Sequence, residues 1–206
     1  MTENINRKEL LINMCNSIKD DFYNKNNKST FYKNKQKIEI SKLIYETFSQ
    51  EELIQHTIYF VSPDKISDIY FDYEIFKLYA NEENFNTISL YLLQLLNQSI
   101  ERFGEINFHI NLNTFTISAA ERYKNFLVNI NIHCTNTNYN PYIKKLYIYN
   151  TPSIIDTIYK ILNQLIDPYI KKILMYFSKD ESFNIINNLL ENKVSIPLNG
   201  TKIVNC

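Results

Sequence analysis

Only two glycines, Gly104 and Gly200, occur among 206 residues. Dinucleotide folds and P-loops bring phosphate against bare backbone amides, and they need several closely spaced glycines to do so. Neither GxGxxG nor GxxxxGK[ST] is present, which excludes those nucleotide sites. Cysteine is nearly as scarce. Cys15, Cys134 and Cys206 are odd in number and lack CxxC spacing, so neither a disulfide framework nor a thiolate zinc site is indicated, and a reducing compartment is expected. Neither sign of charge is in excess: 22 basic side chains face 22 acidic ones, so net charge gives no argument for a nucleic-acid partner. Long apolar runs are absent too. The start, MTENINRKELLINMCNSIKDD, interrupts its oily stretch with charge, and nothing approaches the roughly 18 apolar residues of a membrane span. A soluble, cytoplasmic protein is expected. No GxSxG elbow or HExxH motif supports hydrolase chemistry, so no catalytic residue, metal or cofactor is assigned.

What is present is concentrated between Ile106 and Phe177, which reads strand, helix, strand, helix, strand. Ile106, Phe108, Ile110 and Leu112 alternate with Asn107, His109 and Asn111 at the period of a half-buried strand. A helix is expected from Ser118, with Ser118 as cap and Glu121 reaching back, and with Ala119, Tyr123, Phe126, Leu127 and Ile130 on one side. Leu146 to Tyr149 makes a second strand, and Thr151-Pro152 supplies a cap and a first-turn proline for a second helix. That helix carries Ile154, Ile155, Ile158, Leu162 and Leu165 at helical spacing and stops near Asp167-Pro168, before the apolar run Ile173 to Phe177. Two successive crossovers imply parallel strands with right-handed connections.

Three segments of this block are similar, in order and spacing, to the CRAL-TRIO family of lipid-binding and phosphatidylinositol-transfer domains. NLNTFTISAA resembles its strand-turn-helix segment. NYNPYIKKLYIYNTP resembles its aromatic-Pro loop, apolar strand and Asn-small-Pro signature, and LIDPYIKKILMYF its Leu-Asp-Pro segment and last strand. SIPLNG, near Gly200, resembles the Leu-Pro-x-x-Gly-Gly box with one glycine missing. The resemblance implies an α/β fold, a parallel-core sheet flanked by helices around an apolar lipid pocket, with a short helical N-terminal region at 1–56 and the lipid-binding lobe at 57–206. It implies a phospholipid ligand, with a phosphoinositide among the expected lipids, and transfer between membranes without catalysis. It also implies headgroup contacts at Thr116 and Ser118, and at Lys172 before the last strand. Tyr142 stands where the family has an acid, which weakens the expectation of an unphosphorylated inositol. The pocket lining implied is Phe108, Ile110, Tyr147, Tyr149, Ile158 and Leu162, with a gate at Ser153 to Lys171. Simpler structural accounts exist for several of these: a helix cap for Ser118, a surface lysine for Lys172, a permanently packed helix for the gate. A ligand-free protein-interaction module on the same fold is the alternative. A small-ligand enzyme built on the His109 face, or a Cys-His site at His133 and Cys134, is weaker still.

Outside that block, residues 5–21 show an amphipathic helix with Ile5, Leu10, Leu11, Met14 and Ile18 as its apolar positions. Phe22 to Lys37 then sets Lys25, Lys28, Lys33, Lys35 and Lys37 among Phe22, Tyr23, Phe31 and Tyr32 with no acid. This is either a solvated loop or a contact with an anionic membrane, to which each lysine would contribute about 1 kcal/mol; Lys33, Lys35 and Lys37 are the candidates. Between Glu46 and Glu83 nine acids face only Lys65 and Lys77, a segment expected to face solvent. A helix is expected over Ile38 to Ile54 and a strand over Thr57 to Val61, while Ile69 to Leu78 alternates too irregularly to assign. Thr87 to Phe103, apolar nearly all round, reads as an internal helix ended by Gly104, and Glu181 to Glu191 as the last helix.

Overall fold

The computed structural model describes residues 2–62 and 64–190. Gly200, Cys206 and the SIPLNG segment lie outside the described residues. Three helices open the chain: α1 Thr2–Asn26, α2 Lys33–Thr47 and α3 Gln50–Thr57. The helix expected over Ile38 to Ile54 is thus two, because Phe48 turns to extended backbone and the Ser49 hydroxyl accepts from the Glu52 amide to start α3. On α1 the inward residues are Leu11 and Cys15, one turn apart, while the expected apolar positions Leu10 and Met14 are exposed. Burial pushes the Cys15 thiol up to about 11, which keeps it unreactive.

Then come β1 Ile58–Ser62, β2 Lys65–Asp72, α4 Tyr73–Tyr79, α5 Phe85–Phe103 and β3 Ile106–Asn111. The irregular stretch Ile69 to Leu78 is a strand running straight into a helix. Asp72 makes the switch, its carboxylate accepting from the Glu74 amide at 2.9 Å. The rest is α6 Ile117–Arg122, α7 Lys124–Asn136, β4 Ile143–Tyr149, α8 Ile155–Leu162, a 3-10 turn Asn163–Leu165, α9 Pro168–Ile173, β5 Leu174–Tyr176 and α10 Lys179–Leu190. Gly104 closes α5 at φ 68°, where an L side chain is strained. The helix α5 is not internal: Phe85, Ile88, Ser89, Leu92, Leu95, Leu96 and Ser99 form its buried face, and Leu90 is exposed.

The sheet runs β1-β2-β3-β4-β5, with β1 antiparallel to β2 and the other pairings parallel. Right-handed crossovers stepping in one direction keep α4 to α9 on one face. Alternation gives that face Ile58, Phe60, Ile69, Phe71, Phe108, Ile110, Leu146 and Ile148. Phe71 meets Phe76 of α4 at 5.1 Å between ring centroids, and Phe76 meets Phe126 of α7 at 4.8 Å. The N-terminal helices join the same core, because Leu11, Cys15, Ile40 and Ile44 pack in one group with Ile69, Phe76 and Leu96. Lys8 of α1 adds an ion pair at 2.6 Å to the buried Asp72, so one of the acids expected to face solvent is internal.

Candidate functional site

The strand register fixes which candidate side chains can meet. Phe108 and Ile110 lie on the helix-bearing face, level with Leu146 and Ile148; Tyr147 and Tyr149 point to the other face, beside His109. These residues therefore cannot share one lining. Over the helix-bearing face, Ile158 and Leu162 of α8 pack with Ala120 of α6 and with Phe115, Leu127, Ile161 and Leu165, a small apolar group joined to the main core through Phe115. Neither packed group includes Ile110, Leu146 or Ile148. The candidate cleft is thus the interface, closed in this structure, between the β3–β4 face and the α6–α8 pair, with Leu146, Ile148, Ile158 and Leu162 buried.

Both candidate ends of the cleft are polar. At the carboxyl end of β3, Thr116 rather than Ser118 caps α6, accepting from the Ala119 amide at 3.2 Å, and Ser118 stands exposed in the first turn. The expected single helix breaks at Tyr123, whose ring drops into the core 4.9 Å from Phe76. Likewise Thr151 does not cap α8. Its hydroxyl donates to the Ile148 carbonyl at 3.2 Å, and the helix begins later, after Ile154. Tyr142 and Lys172 lie at the other end, before β4 and β5, where Tyr169 of α9 donates to the Ile143 carbonyl at 2.9 Å. Lys172 is exposed in the last turn of α9. At about 3.3 Å per residue, the seven residues of β4 separate the two ends by roughly 20 Å. One headgroup cannot touch Thr116 and Lys172 together.

The opposite sheet face was expected to be the polar, outward side of β3. Instead His109 and Asn111 are buried there. His109 Nε2 is 3.0 Å from Asp68 Oδ1, and Nδ1 is 2.9 Å from the Tyr149 hydroxyl. Burial acts to raise the Asp68 carboxyl, but the His109 hydrogen bond and charge, with Ser67 and Asn107, hold it below its ordinary value. An ionised Asp68 can only accept, so it accepts from Nε2–H, while Nδ1 shares a hydrogen bond with the Tyr149 hydroxyl, whose phenol burial keeps protonated. Tyr147 and Tyr149 stack on the imidazole, and Phe177 packs in turn on both tyrosines. Next to them Asn150, at φ 51°, donates to Asn111 Oδ1 at 2.8 Å, and its amide donates to Ser182 of α10 at 2.7 Å. Both nitrogens of His109 are thus engaged in holding β2, β3 and β4 together. His133 Nε2 pairs with Asn86 Oδ1 at 3.1 Å, and Cys134 is half-buried. No group of three or more possible metal ligands stands together among the described residues.

A family model for the CRAL/TRIO domain matches residues 69–196. The chain belongs to the CRAL/TRIO domain family. No curated protein matches it. The CRAL/TRIO match begins within β2, takes in all three crossovers and the candidate cleft, and leaves α1 to α3 outside. It assigns the protein to a lipid-binding class of fold, with a five-stranded sheet flanked by helices. No described helix is long and apolar enough to cross a membrane.

The clearest feature that sequence reasoning missed is cationic. Arg122 at the end of α6 donates to Asn34 Oδ1 of α2 at 3.0 Å, and Lys77 of α4 donates to Thr114 Oγ1 at 2.6 Å. Asn34 is the neighbour of Lys33, Lys37 lies one turn further along α2, and α2 packs against the α4 that carries Lys77. Burial lowers the Lys37 ammonium, and the charges of Arg122, Lys33, Lys77 and Lys28 lower it further. Lysines 28 to 37 were visible as a run in the sequence, but Lys77 and Arg122 gave no signal that they join it.

Proposed function

We propose that the protein takes a phospholipid between α8 and the β3–β4 face and carries it between membranes, without catalysing a reaction. One observation supports this most: the apolar stripe of α8 packs as a small group that meets the main core only through Phe115, and Ile110, Leu146 and Ile148 on the helix-bearing face belong to neither group. Such a helix can lift without unpacking the rest. Acyl chains would then exchange bilayer for cleft at little net cost, because both are apolar. Phe108, Ile110, Ile158 and Leu162 line the cleft, joined by Leu146 and Ile148. Thr116 and Ser118 at one end, or Tyr142 and Lys172 at the other, contact the headgroup, a phosphoinositide being the preferred ligand. Lys33, Lys35 and Lys37 meet an anionic membrane, so the protein works in the cytoplasm at membrane surfaces.

A ligand-free interaction module is the second reading. Leu146 and Ile148 are only 9% and 7% exposed, already covered by the protein's own side chains. Native mass spectrometry of the purified protein separates the two, since a copurified phospholipid supports transfer. Uptake of a fluorescent phospholipid should be abolished in Leu162→Asp, whose charge also threatens folding. Ile110→Trp tests the same point by filling the cleft with an apolar ring. No copurified lipid, together with uptake equally absent from wild type, would establish the interaction module.

A further inference from the structure

The cations described above come from three separate parts of the chain. Lys28 precedes α2, and Lys33 and Lys37 stand one turn apart upon it. Lys77 is on α4, which packs against α2, and Arg122 ends α6. Lys37, Lys77 and Arg122 are half-buried, with Lys28 and Lys33 exposed at the rim. Among the described residues none of the five forms an ion pair. The oxygens they reach belong to the neutral side chains of Asn34 and Thr114, although Glu74 and Asp72 lie near enough to Lys77 to act on its charge. The Arg122 guanidinium lies 5.6 Å over the Tyr123 ring and bonds that side chain, while its buried Nε has no hydrogen-bond partner, leaving one donor of the fork unused.

Gathering like charges raises the free energy of the fold, and burying part of them raises it further. A ligand with several negative charges on a small frame would relieve both costs at once. The Gln36 side chain bonds Asn27 and Ser29 at 2.7 and 2.9 Å and so fixes the loop carrying Lys28 against α2. Phe31, 95% exposed, and Tyr32 stand at the tip of that same loop, where aromatic rings can enter a bilayer interface while the lysines meet its headgroups. Thr114, which Lys77 holds, lies two residues before the α6 cap Thr116, so the cluster borders the carboxyl end of the cleft.

We infer that Lys28, Lys33, Lys37, Lys77 and Arg122 form one site for a multiply phosphorylated lipid headgroup presented by a bilayer, distinct from the cleft that holds the transported lipid. The inference rests on the transfer reading for its purpose: the site orients the cleft mouth toward a membrane marked by that headgroup. It goes beyond a diffuse attraction of the α2 lysines, because the arginine and Lys77 supply directed donors from the lobe itself.

The test is sedimentation of the full chain with two kinds of phosphatidylcholine vesicle, one doped with phosphatidylinositol bisphosphate, the other with phosphatidylserine to the same surface charge. Wild type should prefer the first. Arg122→Gln and Lys77→Gln should each weaken binding to it about tenfold, equivalent to about 1.4 kcal/mol, and change phosphatidylserine binding far less. Lys179→Gln, a surface lysine on α10, should change neither. Arg122→Lys keeps the charge without the planar fork and should fold while still losing preference. Soluble inositol trisphosphate should compete wild type off the bisphosphate vesicles. Equal losses on both vesicles, no loss on either, or no competition overturns the site. Fluorescent-lipid uptake is read separately, so failed uptake with intact headgroup binding counts against the cleft and not against this site.

Discussion

His109 is a buried ring held between an acid and a phenol, and removing it leaves both without their partner. His109→Leu should lower stability by about 1–3 kcal/mol, the cost of stranding buried polar groups, and a urea midpoint reads it. Asp68 sets the acid side of the pH profile. Its folded pKa is depressed, so its contribution is complete above the ordinary carboxylate value and is lost as pH falls through the folded one. Asp68→Asn should therefore flatten the loss of stability in acid, and a chain whose acid limb keeps its slope would remove Asp68 from that role. His109 was legible as a polar position on β3. That α10 and the rings of Tyr147, Tyr149 and Phe177 would enclose it was not, because period-two alternation separates the two faces without saying which is covered.

At the scale of elements, caps decide more than propensity. Thr116 ends the loop after β3 because its extended backbone and hydroxyl satisfy the Ala119 amide, while Ser118, already helical, caps nothing. Thr116→Ala should cost about 1 kcal/mol in thermal or urea unfolding, and Ser118→Ala only a few tenths. If Ser118→Ala proves the more damaging, α6 starts two residues later than the structure has it. The capping box expected at Ser118 and Glu121 was a sound local pattern displaced by a better cap upstream. The same reasoning explains the stretch Ile69 to Leu78, where a strand and a helix meet at Asp72 without any loop, so neither periodicity runs long enough to be recognised.

In the whole molecule, α1 is fastened to the lobe by Leu11, Cys15 and the Lys8–Asp72 pair. Asp72 is only 1% exposed and also caps α4, so it needs a cation. Lys8→Met should destabilise the fold by about 1–3 kcal/mol through the uncompensated carboxylate, with one cooperative transition because the helices share the sheet's core. Two separate transitions would show α1 to α3 to be an independent unit. The same shared core places Lys33 and Lys37 against Lys77 and Arg122, so the cationic cluster exists only when the N-terminal helices are docked.

Local signals along the chain set the alternation of strand and helix from β3 to α10, the end of α5 at Gly104 and the family resemblance carried by three short segments. These depend on signals within one or two turns: period two against period 3.6, and a glycine at positive φ. Only the packing of distant segments could settle that Phe108 and Tyr149 face apart, that Thr116 and Lys172 stand at opposite ends of the strands, and that Arg122 reaches Asn34 on the lysine-bearing α2, 88 residues earlier. Those facts follow from sheet register and crossover handedness, which are set by contacts between residues far apart in the chain and leave no periodic trace along it.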